Sequence, residues 1–76
     1  YISGPKRNSS TEQRLKGYKK ALSEAGIPID PTIMKDGDYT IESGFSCMTQ
    51  LVEERSNFTA VACANDLMAI GAMEAL

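Results

Sequence analysis

The chain has 76 residues, is 42% hydrophobic and 24% charged, and carries a formal net charge of −2, the composition of a globular domain rather than a disordered or fibrous one. A slightly acidic chain argues against a phosphate-binding surface for nucleic acid, and no apolar run approaches the roughly 20 residues of a membrane span. At this length only about 60% of the surface exposed on unfolding is buried, so the core is small. The opening Tyr1-Ile2-Ser3-Gly4-Pro5 has no initiator Met and reads as the end of a strand. The expectation is a piece of a larger domain, with strands missing on both sides.

After the strand tail 1–3 comes a loop over 4–9, then a helix from 10 or 11 to 25. Leu15, Tyr18, Leu22 and Ala25 recur at helical spacing as its buried stripe, while Lys16, Lys19, Lys20, Ser23 and Glu24 face water. Gly26 ends the helix in the left-handed position, and Pro28 prevents its continuation. A short strand is expected over 32–35, followed by the turn cluster Asp36-Gly37-Asp38-Tyr39. Thr40 caps a second helix reaching about Glu54, with Glu42 near its positive end. Ile41, Phe45, Met48 and Val52 repeat at i, i+4, i+7 and i+11 as its core face.

A loop at 56–58 leads into Thr59-Ala60-Val61-Ala62-Cys63-Ala64, an unbroken small-apolar run of the kind that a strand buried on both faces needs. Asp66 is placed to cap the last helix, 67–76, which carries one charged residue, Glu74. Its stripe Leu67, Ile70, Gly71 and its stripe Met68, Ala72, Ala75 point in different directions and are both largely apolar. Such a helix is buried on more than one side. Strands alternating with helices of this length predict an α/β fold: a parallel sheet built from three βα units with right-handed crossovers.

No catalytic apparatus is visible, and no enzyme is expected. The sequence contains no His, so no Ser-His or Cys-His pair can form within it. Cys47 and Cys63 fit neither a zinc site nor a redox pair and read as buried thiols of a reducing compartment. The loop 4–9 lacks the second Gly and the Lys-Ser/Thr of a phosphate loop. No metal or cofactor is implied.

Binding residues are better supplied. In a parallel α/β sheet the carboxyl ends of the strands converge on one edge, where ligands bind. After the first strand stand Asn8, Ser9 and Ser10, with Arg14 one helical turn past Ser10 and beside the apolar stripe. After the second comes Tyr39, and after the third Asn65. Arginine, amide, hydroxyl and an aromatic face are the groups that recognise a polyhydroxylated ring. Each also has a plainer role. Ser10 fits a helix cap, Tyr39 a hydrophobic staple, Arg14 an ion pair with Glu12 or with a carboxylate outside these residues, and Asn65 a strand end. Residue types and spacing alone reach a ligand-binding α/β domain of open specificity.

Four segments in order resemble the effector-binding domain of the lactose-repressor (LacI/GalR) family of bacterial transcription regulators. They are Ile2-Ser3-Gly4-Pro5, then Arg14-Leu15-Lys16-Gly17-Tyr18 in the pattern R-x-x-G-[FYW]. After Ala25-Gly26-Ile27 come Gly37-Asp38-Tyr39-Thr40 with Ser43-Gly44, and last Thr59-Ala60-Val61 through Ala64-Asn65-Asp66-Leu67-Met68-Ala69-Ile70-Gly71-Ala72. The resemblance implies a periplasmic-binding-protein-like fold in which residues 1–76 are part of the C-terminal subdomain. It implies that Ser10, Arg14, Tyr39 and Asn65 contact a small effector, a sugar or related polar ring, with Asn8 a further candidate. It implies a homodimer in which Ile70, Met73 and Glu74, with Ile41 or Phe45 nearby, meet across a two-fold axis; cover from the same chain is the alternative. DNA would be met only through a headpiece outside this chain, in the cytoplasm. A sugar-binding protein of a transport system and a doubly wound enzyme are the rival readings, and the N-D-x-M-A-x-G string favours the repressor.

Overall fold

In a computed structural model of the chain, residues 1–54 and 57–76 are described. Strand β1 (Ile2–Ser3) lies in the middle of a small parallel array. On one side it pairs with β2 (Lys35–Asp36), Ile2 opposite Lys35 and Ser3 opposite Asp36. On the other side it meets the expected third strand at one isolated parallel bridge, Ile2 to Cys63. There the Ile2 N–H donates to the Ala62 carbonyl and the Ala64 N–H donates to the Ile2 carbonyl, each at 2.9 Å. The parallel sense and the alternation with helices agree with expectation, but three complete βα units are not present among the described residues. The run 59–64 becomes sheet only where β1 is there to pair with it.

The second strand also starts later than 32–35. Asp30 accepts from both the amide and the hydroxyl of Thr32, at 2.9 and 2.6 Å, and Pro31 supplies a preset first helical position. Residues Pro31–Ile33 therefore close a 3-10 turn, and the extended segment is Lys35–Asp36. Of the expected loop 56–58, Ser56 lies outside the described residues.

Helix α1 (Ser9–Glu24) is capped by Asn8, whose Oδ1 accepts the Thr11 amide at 3.1 Å. The cap so precedes the expected start, and Ser10 is not the capping residue. The C-terminal end is as read. Gly26 stands at φ +71°, with its amide bonded to the Ser23 carbonyl and the Ile27 amide to that of Leu22. Leu15, Tyr18 and Leu22 are half-buried, but Ala25 is exposed and only Thr11 is fully buried. Tyr18 stacks on Tyr1 with ring centroids 4.3 Å apart.

Thr40 caps helix α2 (Ile41–Glu53) by accepting the Ser43 amide at 3.1 Å. Its buried face is Gly44, Cys47, Met48 and Leu51, so only Met48 of the expected stripe is in the core. Phe45 and Val52 stand about half exposed, at 45% and 49%, and Ile41 is half-buried. The face turns toward Gly44 because helix α3 (Asp66–Ala75) crosses there in backbone contact. Asn65, not Asp66, caps α3: its Oδ1 accepts the Met68 amide at 3.0 Å. Asp66 is the first helical residue, where its charge faces the positive end of the dipole. Ile2, Cys47, Met48, Leu51, Met68 and Ala72 form the core between sheet and helices. One face of α3 is buried through Met68, Gly71 and Ala72, while Leu67, Ile70 and Met73 remain outside.

Candidate functional site

The three strand ends do converge. Past β1, Ser3 hands the chain to Gly4; past β2, the Gly37 amide donates to the Ser3 carbonyl at 2.6 Å and turns the chain to Tyr39. Tyr39 takes φ +72°, a left-handed conformation that side-chain-bearing residues rarely adopt. Hydrogen bonds at both ends hold it there. The Asn65 Nδ2 donates to its carbonyl at 3.0 Å, and its hydroxyl shares a 2.8 Å hydrogen bond with the Thr11 Oγ1.

The ring of Tyr39 lies across Gly4. A Cβ at Gly4 would stand 2.6 Å from both Tyr39 Cε1 and Thr11 Oγ1, so glycine is what lets the ring lie over the end of β1. Arg14 completes the cluster. Its guanidinium carbon sits 5.5 Å from the Tyr39 ring centroid, and its Nη1 donates to the Ala64 carbonyl at 2.7 Å. Among the described residues Arg14 pairs with no carboxylate, Glu12 included. A guanidinium has five N–H donors, and an exposed one with a single internal acceptor keeps donors for a ligand.

Of the expected site residues, Arg14, Tyr39 and Asn65 therefore come together. Ser10 is exposed on the first turn of α1, one turn before Arg14. Asn8 belongs to the cap of α1. Thr11 and Gly4 were not singled out by sequence reasoning, yet both touch Tyr39. A signal for Thr11 was present: 11, 15, 18 and 22 continue the helical stripe one turn toward the N-terminus.

The electrostatics are mild. Burial pushes the thiols of Cys47 and Cys63 up, so both stay protonated at neutral pH and are free of disulfide. Burial, with Tyr39 as a secondary cause, pushes the Tyr1 phenol up as well. Asp38 is held below the usual carboxylate range by the hydroxyls of Thr40 and Ser43. A carboxyl lowered by folding contributes stability above its unfolded value, about pH 4, and loses it as pH falls through the folded value. Asp38→Asn in the full-length protein is thus expected to lower the urea midpoint at pH 7 and to matter little near pH 2, read by paired denaturation curves.

Two apolar clefts, of 450 and 410 Å³, flank the segment 59–61 on either side and lie away from the Arg14–Tyr39 cluster. Among the described residues no three His, Cys, Asp or Glu side chains gather as metal ligands, and no helix is long and apolar enough to cross a membrane.

Comparison with known proteins identifies the family of the fold. The family model of the periplasmic binding protein-like domain matches residues 1–76. The transcriptional repressor CytR of Escherichia coli K12 is 42% identical over 72 residues, covering 95% of this chain and 21% of the relative. The repressor PurR of Pasteurella multocida is 36% identical over 75 residues, 99% of this chain and 22% of the relative. The chain thus spans about a fifth of the length of the curated relatives it matches. Among solved structures, a sugar-binding LacI-family transcriptional regulator from Escherichia coli, complexed with phosphate, superposes with a TM-score of 0.92 at 36% identity, over 97% of this chain and 27% of that one. A LacI-family regulatory protein from Chloroflexus aggregans gives 0.89 at 33% identity, with the same coverage. Family model, relatives and solved structures agree: the chain belongs to the periplasmic binding protein-like domain family, in the form carried by LacI-family transcriptional regulators.

Proposed function

We propose that the cluster at the strand ends is one wall of a pocket for a small effector with a polar ring, of the sugar or nucleoside type, in a LacI-like transcriptional regulator. Residues 1–76 would contribute to the C-terminal subdomain. The observation that carries the reading is Arg14 lying beside the Tyr39 ring at the carboxyl edge of a parallel sheet. Together they offer charged N–H donors next to an aromatic surface, the pairing that a ring bearing hydroxyls requires. Ser10 and Asn65 border the same edge and supply further polar contacts; Asn8 supports them from the cap of α1. The repressors among the relatives favour a binding role for the cluster.

Function then follows by population shift. Effector held between two subdomains favours one relative orientation, and a homodimer passes that bias to DNA-binding heads outside this chain, in the cytoplasm. Ile41, Phe45, Ile70, Met73 and Glu74 are the proposed dimer contacts. The repressors among the relatives favour this reading over a transport receptor of the same fold.

Calorimetry of the full-length protein with D-ribose, D-galactose, cytidine and adenosine tests the proposal. Arg14→Ala should weaken the ligand that binds by about 1–3 kcal/mol, leaving its polar groups unpaired. Operator binding without effector should be unchanged. Equal effector affinity after removal of Arg14 would sink the assignment.

A further inference from the structure

We infer that Thr11 is a positioning residue, which fixes the Tyr39 ring as a preformed platform beside Arg14. The inference deepens the binding-pocket reading and rests on it. Helical spacing places Thr11 on the inner stripe of α1 but says nothing of what its hydroxyl meets. The structure gives its side chain a specific task.

A helical threonine ordinarily turns its hydroxyl back to a carbonyl of the preceding turn. At the third position of α1 no preceding turn exists. Thr11 is instead 4% exposed, and its Oγ1 meets the Tyr39 hydroxyl at 2.8 Å, 28 residues away in sequence. Its own backbone is fixed by the cap, because its amide is the one that Asn8 accepts. On the far side of Tyr39, Asn65 donates to the main-chain carbonyl while its Oδ1 caps α3. One hydrogen-bonded series thus runs Asn8, Thr11, Tyr39, Asn65, Met68, from the start of α1 to the start of α3.

Tyr39 is the member of that series held in an uncommon backbone conformation. Its backbone is left-handed, and its ring has no Cβ beneath it at Gly4 to stop sliding. Asn65 holds the main chain; Thr11 holds the far end of the ring. Tyr39 also packs against the edge of the core, so loss of the Thr11 hydroxyl would free the hydroxyl end of the ring and loosen its register with Arg14. Pre-organisation of this kind saves ordering entropy when a ligand arrives.

The test is made on the full-length protein labelled with 3-fluorotyrosine and read by fluorine NMR without ligand. The line that disappears in Tyr39→Phe belongs to Tyr39. Thr11→Val keeps the shape of the side chain and removes the hydroxyl; it should broaden that line or move it toward free 3-fluorotyrosine. Thr11→Ser restores the hydroxyl and should restore the line. Thr11→Ala reads the same loss if valine reduces the yield of folded protein, and the thermal midpoint of each variant checks that the fold persists. An unchanged Tyr39 line in Thr11→Val overturns the inference, and so does a line that serine fails to restore. Failure of all four sugars and nucleosides to bind the wild type would count against the pocket and leave this result standing, so the two failures are distinguishable.

Discussion

Gly71→Ala is expected to destabilise the protein by about 3 kcal/mol, the upper end for overpacking, although alanine is the better helix former by about 1 kcal/mol. The reason is the crossing of α2 and α3. A Cβ at Gly71 would overlap the Ile41 carbonyl oxygen and stand 2.7 Å from the Phe45 amide nitrogen. The contact is reciprocal: a Cβ at Gly44 would overlap the Met68 carbonyl and lie 2.6 Å from its Cα. These neighbours are backbone, so no rotamer change relieves the overlap and the helices must move apart. Separation opens the seam that buries Met48 and Met68. Gly17 is the control. It lies exposed inside α1, and a Cβ there meets nothing within 4 Å, so Gly17→Ala should stabilise by up to about 1 kcal/mol. Urea denaturation of the full-length protein reads both. Shifts of the same sign would mean that the two helices do not cross in backbone contact.

That crossing also marks where the sequence stopped being legible. The spacing of Ile41, Phe45, Met48 and Val52 is a sound amphipathic pattern, yet α2 buries Gly44, Cys47, Met48 and Leu51 instead. Hydrophobicity ranks Phe above Gly; close approach of two backbones ranks them the other way, and a periodicity argument does not contain that preference. Caps were legible as sites but not always by residue. Asn8 and Asn65 each precede a second capable residue, and which side chain takes the first-turn amide depends on backbone dihedrals outside the helix. Strand length was the weakest reading, because an apolar run becomes a strand only opposite a partner. Here β1 offers the run 59–64 a single bridge. Topology alone brings the strand ends together, which is why Arg14, Tyr39 and Asn65 meet while Ser10 and Asn8 stay on the first turn and cap of α1. Thr11 escaped because its role depends on one hydroxyl reaching across the sheet edge, a tertiary fact.

Ile70→Glu in the full-length protein is expected to convert dimers to monomers in sedimentation. Once α3 has turned Met68, Gly71 and Ala72 inward, its opposite face is left with Leu67, Ile70 and Met73, 44% to 73% exposed. Phe45 of α2 adds a further large apolar side chain at 45% exposure, on the helix that α3 crosses. Apolar side chains grouped in this way mark an interaction surface more often than a solvated one. In the proposed homodimer, two copies of such a face would satisfy each other about a two-fold axis, each residue near the axis meeting its own counterpart. A glutamate at position 70 would then be buried twice, once from each protomer, as like charges without partners. Breaking an interface with an uncompensated buried charge costs about 3–5 kcal/mol, enough to lower association by a factor of about 150 to 4,000. Glu74 lies one turn on, at i+4, and adds like-charge repulsion within the helix itself. The alternative occupant of this face would be a segment of the same polypeptide. In that case Ile70→Glu would leave the dimer intact and lower the unfolding midpoint of each protomer, so sedimentation and denaturation on the same sample separate the two.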